Sequence, residues 1–204
     1  MSKADLIRWS GMSLLAAGIL VAIGALMHPD ESVEGAMALP SWGTAHMILV
    51  LSLILVVFGL TGLYGRLAGS GMLSLVGYVL AVASSLMFLG ITFVEAWIAP
   101  AVVASGPEGA ALMAMDGPIM SGQLGMVLMA AALAYAVGWL LLGVAVWQDG
   151  GLPKWAGLLL IAGGLLMPFS PPLPQIAFQL GAVLLGAAAV WLGWTMWSTG
   201  GASA

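Results

Sequence analysis

Cysteine is absent from the chain, and charged residues are scarce. The lack of cysteine excludes a disulfide framework, a thiolate metal site and a cysteine-held iron–sulfur centre. Charged residues make up 6% of the 204 positions, and only four residues are Lys or Arg. Because nucleic-acid-binding proteins neutralise phosphates with clusters of basic side chains, this scarcity argues against a nucleic-acid partner.

Apolar residues take the place of the missing charges and make up 62% of the chain. Such a composition predicts a chain that folds in a lipid bilayer, where a helix needs about 20 apolar residues to cross a core about 30 Å thick. Six runs come near this length: residues 6–27, 45–64, 72–98, 124–147, 155–169 and 176–197. The sequence therefore predicts an all-α fold, a polytopic transmembrane helical bundle of six helices in which residues 1–204 form a single domain.

The basic residues all lie on one side of this predicted six-helix path. Lys3 and Arg8 precede the first helix, Arg66 lies between the second and third, and Lys154 lies between the fourth and fifth. Because cytoplasmic loops carry the excess of Lys and Arg, we expect cytoplasmic N and C termini in a bacterial cytoplasmic (inner) membrane. The acidic residues of the longer loops then lie on the extracytoplasmic face: Asp30, Glu31, Glu34, Glu108 and Asp116.

Three long polar side chains are expected at similar depth on three different helices. Each stands five or six residues after a proline at an outer helix start. The pairs are Pro40 with His46, Pro118 with Gln123, and Pro174 with Gln179. This spacing predicts that His46, Gln123 and Gln179 converge on a polar pocket at the extracytoplasmic end of the bundle.

Four further side chains belong to the same outer end. Glu95 lies five residues before Pro100, and ionisable groups within apolar helices are costly enough to suggest a function. A helix that starts at Met72 leaves Glu95 about 6 Å beyond the core, so a partly solvated carboxylate with a polar neighbour is the alternative interpretation. Trp42 and Trp97 are either pocket residues or interfacial anchors, and His28 closes the first helix.

Histidine and glutamate make a metal ion or haem an open hypothesis. Imidazole binds haem iron, zinc and copper, so His46, His28 and Glu95 are the candidate metal ligands. His28 is expected more than one helical turn shallower than His46. Paired axial ligands must face each other across one iron, so this difference argues against a bis-histidine haem.

Several short motifs add a resemblance that covers most of the chain. They are HP at residues 28–29, WGTAH ending at His46, GLYGR ending at Arg66, Glu95 with Pro100, and LPKWAG at residues 152–157. With these motifs the chain resembles bacterial six-helix integral membrane proteins of unassigned function. The resemblance implies the six-helix fold, and it implies no activity and no functional residue.

Four functions follow as hypotheses. The first is a membrane protein that binds a ligand, a metal ion or haem in the outer polar pocket. The second is an accessory or structural subunit of a larger membrane complex, or a homo-oligomer, whose partner besides the lipid bilayer is protein. The third is a small proton-coupled transporter in which Glu95 or His46 titrates. The fourth is a lipid-phase isomerase in which Glu95 moves a proton and Trp42 or Trp97 stabilises a cation.

Overall fold

The computed structural model describes residues 2–33, 35–114, 116–169 and 173–199, and these residues form helices and turns with no β-strand among them. Glu34, expected on the outer face, lies outside the described residues. A π-helical segment occupies Val94–Ile98, and short 3-10 turns occupy Ala36–Ala38, Ala68–Ser70 and Met167–Phe169. The helices are α1 (Lys3–Met27), α2 (Pro40–Leu67), α3 (Gly71–Phe93), α4 (Ala99–Ala104), α5 (Pro107–Met113), α6 (Gln123–Asp149), α7 (Lys154–Leu166) and α8 (Gln175–Thr199).

Local sequence signals set the ends of these helices. At the start of α1 the Ser2 hydroxyl accepts the Asp5 N–H at 3.1 Å, and the Asp5 carboxylate accepts the Ser2 N–H at 2.9 Å. Pro40 opens α2, where its missing N–H costs no helical hydrogen bond. Gly71, the first residue of α3, and Gly150, which follows α6, have φ of 62° and 74°, a backbone conformation that glycine adopts most readily.

The predicted apolar runs lie on these helices, but several helices extend beyond them. α2 begins five residues before the predicted start at residue 45, because Pro40 can open a helix although residues 41–44 are too polar to extend the apolar run. The third run, 72–98, is divided between α3 and the π-helical segment. The fifth run, 155–169, is α7 with the 3-10 turn that follows it.

The architecture confirms the all-α prediction, and four helical stretches are long and apolar enough to cross a membrane. They are Lys3–Met27, Pro40–Ala104, Gln123–Asp149 and Gln175–Thr199. Four stretches qualify instead of six for two reasons. α2, α3 and α4 follow one another with only 3-10 and π-helical turns between them, so Pro40–Ala104 counts as one stretch of 65 residues. The apolar helix Lys154–Phe169 is shorter than the others.

The six longest helices pack side by side in a closed ring. Around the ring the order is α1, α2, α3, α6, α7, α8 and back to α1. Neighbouring helices run antiparallel: Gly11 approaches Gly193 between α1 and α8, whereas Gly18, further along α1, approaches Gly186, which is earlier in α8. The first and last helices of the chain therefore close the ring against each other.

Glycines bring α1 and α8 into backbone contact. A Cβ atom on Gly18 would lie 2.5 Å from the Gly186 carbonyl oxygen, and one on Gly186 would lie 2.5 Å from the Gly18 carbonyl oxygen. Small residues at helix interfaces allow this close approach in lipid, where helices gain association energy from van der Waals packing.

We expect Gly18→Ala to weaken the α1–α8 contact. The added methyl group has no space, so the free energy of unfolding should fall by about 1–3 kcal/mol. Titration with a denaturing detergent, followed by circular dichroism, measures this change.

Gly90→Ala is the matched control. Gly90 also lies inside a helix, α3, and no atom lies within 4 Å of the position its Cβ would take. The gain in helix propensity, about 1 kcal/mol, is common to both variants. Equal stability of the two variants would contradict close packing at Gly18.

Candidate functional site

A cavity of about 390 Å³ lies inside the helix ring. α1, α2, α3, α6 and α8 contribute to its wall, together with the 3-10 turn that follows α7. Along α2 the wall runs from His46 to Val56, which corresponds to about 15 Å of helix. The cavity therefore extends over about half of a hydrocarbon core about 30 Å thick.

One end of the cavity is polar, and the remainder is mainly apolar. His28, Glu31, His46 and Glu95 form the polar end and are called the His–Glu cluster below. The remainder, called the shaft, is lined mainly by aliphatic, aromatic and methionine side chains. The Ser52 hydroxyl, one of the few polar groups of the shaft, donates a hydrogen bond to the Ala17 carbonyl oxygen at 2.9 Å. Its hydroxyl proton is therefore already used within the protein.

The four side chains of the His–Glu cluster are in direct contact. The Nε2 atoms of His28 and His46 are 3.3 Å apart, and the Glu95 Oε2 atom is 3.3 Å from His46 Nε2. The Glu31 Oε1 atom is 3.7 Å from His28 Nε2. His28 and His46 are only 6% and 2% exposed, whereas the Glu95 and Glu31 side chains keep 27% and 46% of their surface exposed. The histidines thus form the buried part of the cluster, and the glutamates form its outer part.

The end of α1 and the start of α8 hold His28 in place. His28 caps α1 with an extended backbone, φ −66° and ψ 124°. The Gln175 side-chain amide donates a hydrogen bond to the His28 carbonyl oxygen at 3.1 Å. The Phe178 ring meets the His28 ring edge-on at a centroid distance of 5.5 Å. α8 therefore fixes both the backbone and the ring of His28.

The π-helical segment holds Glu95 against α2. In this segment the Ala99 N–H bonds to the Val94 carbonyl oxygen, and Pro100, one residue further, has no N–H. The Glu95 carbonyl oxygen is thereby left without the donors that an α-helix or a π-helix would supply. The Trp42 indole N–H donates to this oxygen at 2.8 Å. Trp42, 1% exposed, therefore ties the turn that carries Glu95 to the helix that carries His46.

Backbone acceptors determine which nitrogen of each histidine carries the proton. His28 Nδ1 lies 2.7 Å from the Pro29 carbonyl oxygen, and His46 Nδ1 lies 2.8 Å from the Trp42 carbonyl oxygen. Because a carbonyl oxygen can only accept, both rings must carry a proton on Nδ1. In the neutral rings both Nε2 atoms are then acceptors, and they face each other and the two carboxylates. The His–Glu cluster presents acceptors alone until a proton or another cation enters it.

The structure brings together four of the residues predicted from the sequence and separates three others. His28, His46 and Glu95 meet in the His–Glu cluster, and Trp42 lies against both histidine rings, with centroid distances of 5.1 and 4.5 Å. Trp97 is 46% exposed, and it does not contribute to the cavity wall. Gln123, which is exposed, and Gln179, which is partly exposed, are also absent from that wall. Equal depth after a proline does not place side chains on the same face, because successive helical residues point about 100° apart.

Two functional contacts were missed. Gln175, directly after Pro174, is the glutamine that reaches the polar end. Glu31 was predicted only as a loop residue, although its spacing of three residues from His28 was a signal for a contact.

The expected difference in depth between the two histidines does not keep their rings apart. Their Nε2 atoms are 3.3 Å apart. α2 begins at Pro40, so His46 lies two turns inside a helix whose outer end is longer than the apolar run indicated. The His28 ring is buried and reaches His46 from the end of α1.

A metal centre is not supported by the geometry. In the part of the chain that the structure describes, no group of three or more His, Asp or Glu side chains could hold a metal ion. The predicted metal or haem site at His28, His46 and Glu95 therefore gains no support.

Comparison with known proteins gives no relative: no protein-family model, no curated protein and no solved structure matches the chain. The class of protein is therefore inferred from the fold alone. Several helices have the length and apolar composition of membrane spans, and they are those of an all-helical integral membrane protein.

Two groups of the His–Glu cluster, both outside the long apolar helices, have shifted pKa values. Burial, together with the nearby His46, lowers the pKa of His28 below its ordinary value. Burial and the charge of Glu95 raise the pKa of Glu31, and because 46% of that side chain remains exposed, water screens part of the effect.

We expect the imidazole of His28 to titrate below pH about 6.5, the ordinary pKa of histidine. At a pH between the lowered pKa of His28 in the folded protein and its ordinary pKa in the unfolded chain, the imidazole is protonated in the unfolded chain and neutral in the folded protein. The His28 contribution to the free energy of unfolding is therefore complete above pH about 6.5 and is lost as the pH falls through that window. An NMR titration of the two histidines in detergent measures the pKa directly.

The variant His46→Gln identifies the His28 signal and serves as the comparison. Replacement of the His46 imidazole should raise the pKa of His28, because the nearby His46 lowers it, but burial should still hold it below the ordinary value. A His28 pKa at or above about 6.5 in the unmodified protein would contradict this prediction.

Proposed function

We propose that the chain is a membrane protein that binds an amphipathic small molecule in the cavity of its helix ring. The observation that carries the proposal is the division of one cavity into a polar end and an apolar shaft. Ligand sites are concave and mostly apolar, with a few polar groups that orient the ligand, and their volumes are about 300–1,000 Å³. The His–Glu cluster would hold the ligand's polar group, and the shaft would hold its apolar body.

We further propose six membrane crossings, with the cavity's polar end on the extracytoplasmic side. Support comes from the stretch Pro40–Ala104, within which the chain reverses: α2 and α3 run antiparallel, with the Thr61 and Tyr78 hydroxyls 3.4 Å apart and the Trp42 contact to Glu95 at the other end. α2 and α3 each cross once in this stretch, and α7 with its 3-10 turn crosses once. With one crossing each by α1, α6 and α8, the total is six.

The proposed orientation rests on the basic side chains. Arg8 lies over the Trp197 ring at 4.5 Å, and Arg66 pairs with Asp149 at 3.4 Å. Lys154 lies 5.6 Å from the Trp147 ring. These residues share one end of the antiparallel ring, and the positive-inside rule assigns that end to the cytoplasm. We propose a bacterial cytoplasmic membrane as the location, in line with the resemblance of the motifs.

Reporter insertions test the topology. We expect a cytoplasmic signal from reporters inserted after Gly69, inserted after Gly150 or fused after Ala204, because these sites lie at the basic end of the ring or follow its last helix. We expect an extracytoplasmic signal from a reporter after Gly106. Alkaline phosphatase and green fluorescent protein fusions report the two sides. The same side for Gly69 and Gly106 would contradict separate crossings by α2 and α3.

Filling the shaft should weaken ligand binding. Ala132 lies in the cavity wall and is 6% exposed, so Ala132→Phe places a ring in the space that the ligand's apolar body needs. We expect at least about a tenfold loss of affinity, which corresponds to about 1.4 kcal/mol. The probe is a bromine-terminated dodecanol, whose bromine quenches Trp139 in the shaft. The measured quantity is quenching in the protein minus quenching in Trp139→Phe.

Ala130→Phe is the matched control, since Ala130 lies on the same helix, is exposed and does not line the cavity. This variant should bind the probe like the unmodified protein. Equal quenching of Trp139 in Ala130→Phe and Ala132→Phe would show that the probe acts from the micelle and would overturn the proposed function.

A further inference from the structure

We infer that the cavity selects an amphipathic amine, whose ammonium group is held by the His–Glu cluster and whose apolar body lies in the shaft. This inference rests on the proposed function and specifies the chemistry of the ligand. It follows from the hydrogen-bonding character of the cluster, from the charge around it and from the composition of the shaft.

The first argument is that the four described side chains of the His–Glu cluster offer no free donor to one another. Both histidines donate through Nδ1 to backbone carbonyl oxygens, so their Nε2 atoms, 3.3 Å apart, are two acceptors without a donor between them. The Glu31 and Glu95 carboxylates add further acceptors. Buried acceptors that face each other without a donor cost free energy, and a ligand that supplies several donors removes this cost. An ammonium group carries three N–H donors on one atom.

The second argument is charge. The two carboxylates lie at 3.3 and 3.7 Å from the histidine Nε2 atoms, and a single proton shared by the cluster compensates only one of them. Within the described part of the chain, which includes all four Lys and Arg residues, no basic side chain can compensate the other carboxylate. Lys3 begins α1, whose far end carries His28, and the remaining basic residues share that basic end of the ring: Arg8, Arg66 and Lys154. The site therefore lacks one positive charge, which a cationic ligand brings.

The third argument is the aromatic and apolar surroundings. Phe178 lines the cavity beside His28, and an aromatic ring near a desolvated cation adds cation–π attraction. Below the cluster, Leu49, Val56 and Leu185 belong to the shaft, which offers no charge to a second polar group. A carboxylate or phosphate head group would be repelled by both glutamates. The arrangement thus favours a cation at one end of an apolar body.

Three probes with the same chain test the inference: dodecylamine, dodecan-1-ol and dodecanoate. Each is titrated into the purified full-length protein in lipid nanodiscs, and the dissociation constant is taken from the change in intrinsic fluorescence. We expect dodecylamine to bind at least about tenfold more tightly than dodecan-1-ol, and dodecanoate to bind least tightly.

The variants identify the source of the preference. Glu95→Gln removes a charge and supplies an amide donor to His46, so it should reduce the preference for the amine over the alcohol to less than about threefold. Glu31→Gln should reduce it too, and because the Glu31 side chain is 46% exposed, this variant is expected to disturb the fold less than Glu95→Gln. Glu108→Gln is the matched control, because Glu108 is an exposed carboxylate of α5 that does not line the cavity, and it should keep the full preference.

The outcomes separate the inference from the proposed function. Equal affinities for the three probes that are all lost in Ala132→Phe would overturn the inference and leave the proposed function intact. A preference for the amine that persists in Glu95→Gln and Glu31→Gln would overturn the inference as well, since attraction to the membrane surface would then account for it. If Ala132→Phe weakens the binding of none of the three probes, both the inference and the proposed function are overturned.

Discussion

The hydrogen bond from the Trp42 indole to the Glu95 carbonyl oxygen is the contact on which the polar end of this bundle depends. In lipid an unsatisfied backbone carbonyl costs several kcal/mol, so a helix that contains Pro100 needs an outside donor. Trp42 supplies it and thereby fixes the distance between α2 and the π-helical segment. The same tryptophan offers its own carbonyl oxygen to His46 Nδ1. One side chain and one backbone group thus place the carboxylate of Glu95 beside the imidazole of His46.

The irregular turn and the cavity have a common physical basis. A regular α-helix would keep the Glu95 carbonyl in its own ladder, and its side chains would continue the apolar face of α3. The wider π-helical turn changes the direction of the side chain at Glu95, and π-bulges are frequent at functional sites. The contact with Trp42 of α2 offsets the free-energy cost of the irregular turn. The turn places Glu95 at one end of the cavity, and the shaft remains apolar.

The sequence predicted the parts of the structure that depend on composition and missed those that depend on side-chain direction. Long apolar runs indicated helices, and the ionisable residues His46 and Glu95 were recognised because such residues are rare in apolar helices. Gln123 and Gln179 were chosen by depth alone, and a helix turns too far per residue for depth to define a face. The π-helical segment and the role of Gln175 come from tertiary contacts, which neither apolar periodicity nor the position of a proline contains.

The glycine contact between α1 and α8 has a consequence for the synthesis and membrane insertion of the protein. The ring is closed by the two helices that are furthest apart in the chain, and Gly18 and Gly186 are separated by 167 intervening residues. α1 is synthesised before α8, so its glycine-lined face lacks its partner until α8 has been inserted beside it. The cavity, whose wall includes both helices, exists only after that final insertion. A chain that ended before α8 would expose the glycine-lined backbone of α1 to lipid. Membrane quality control would then have an exposed surface by which to recognise the incomplete protein.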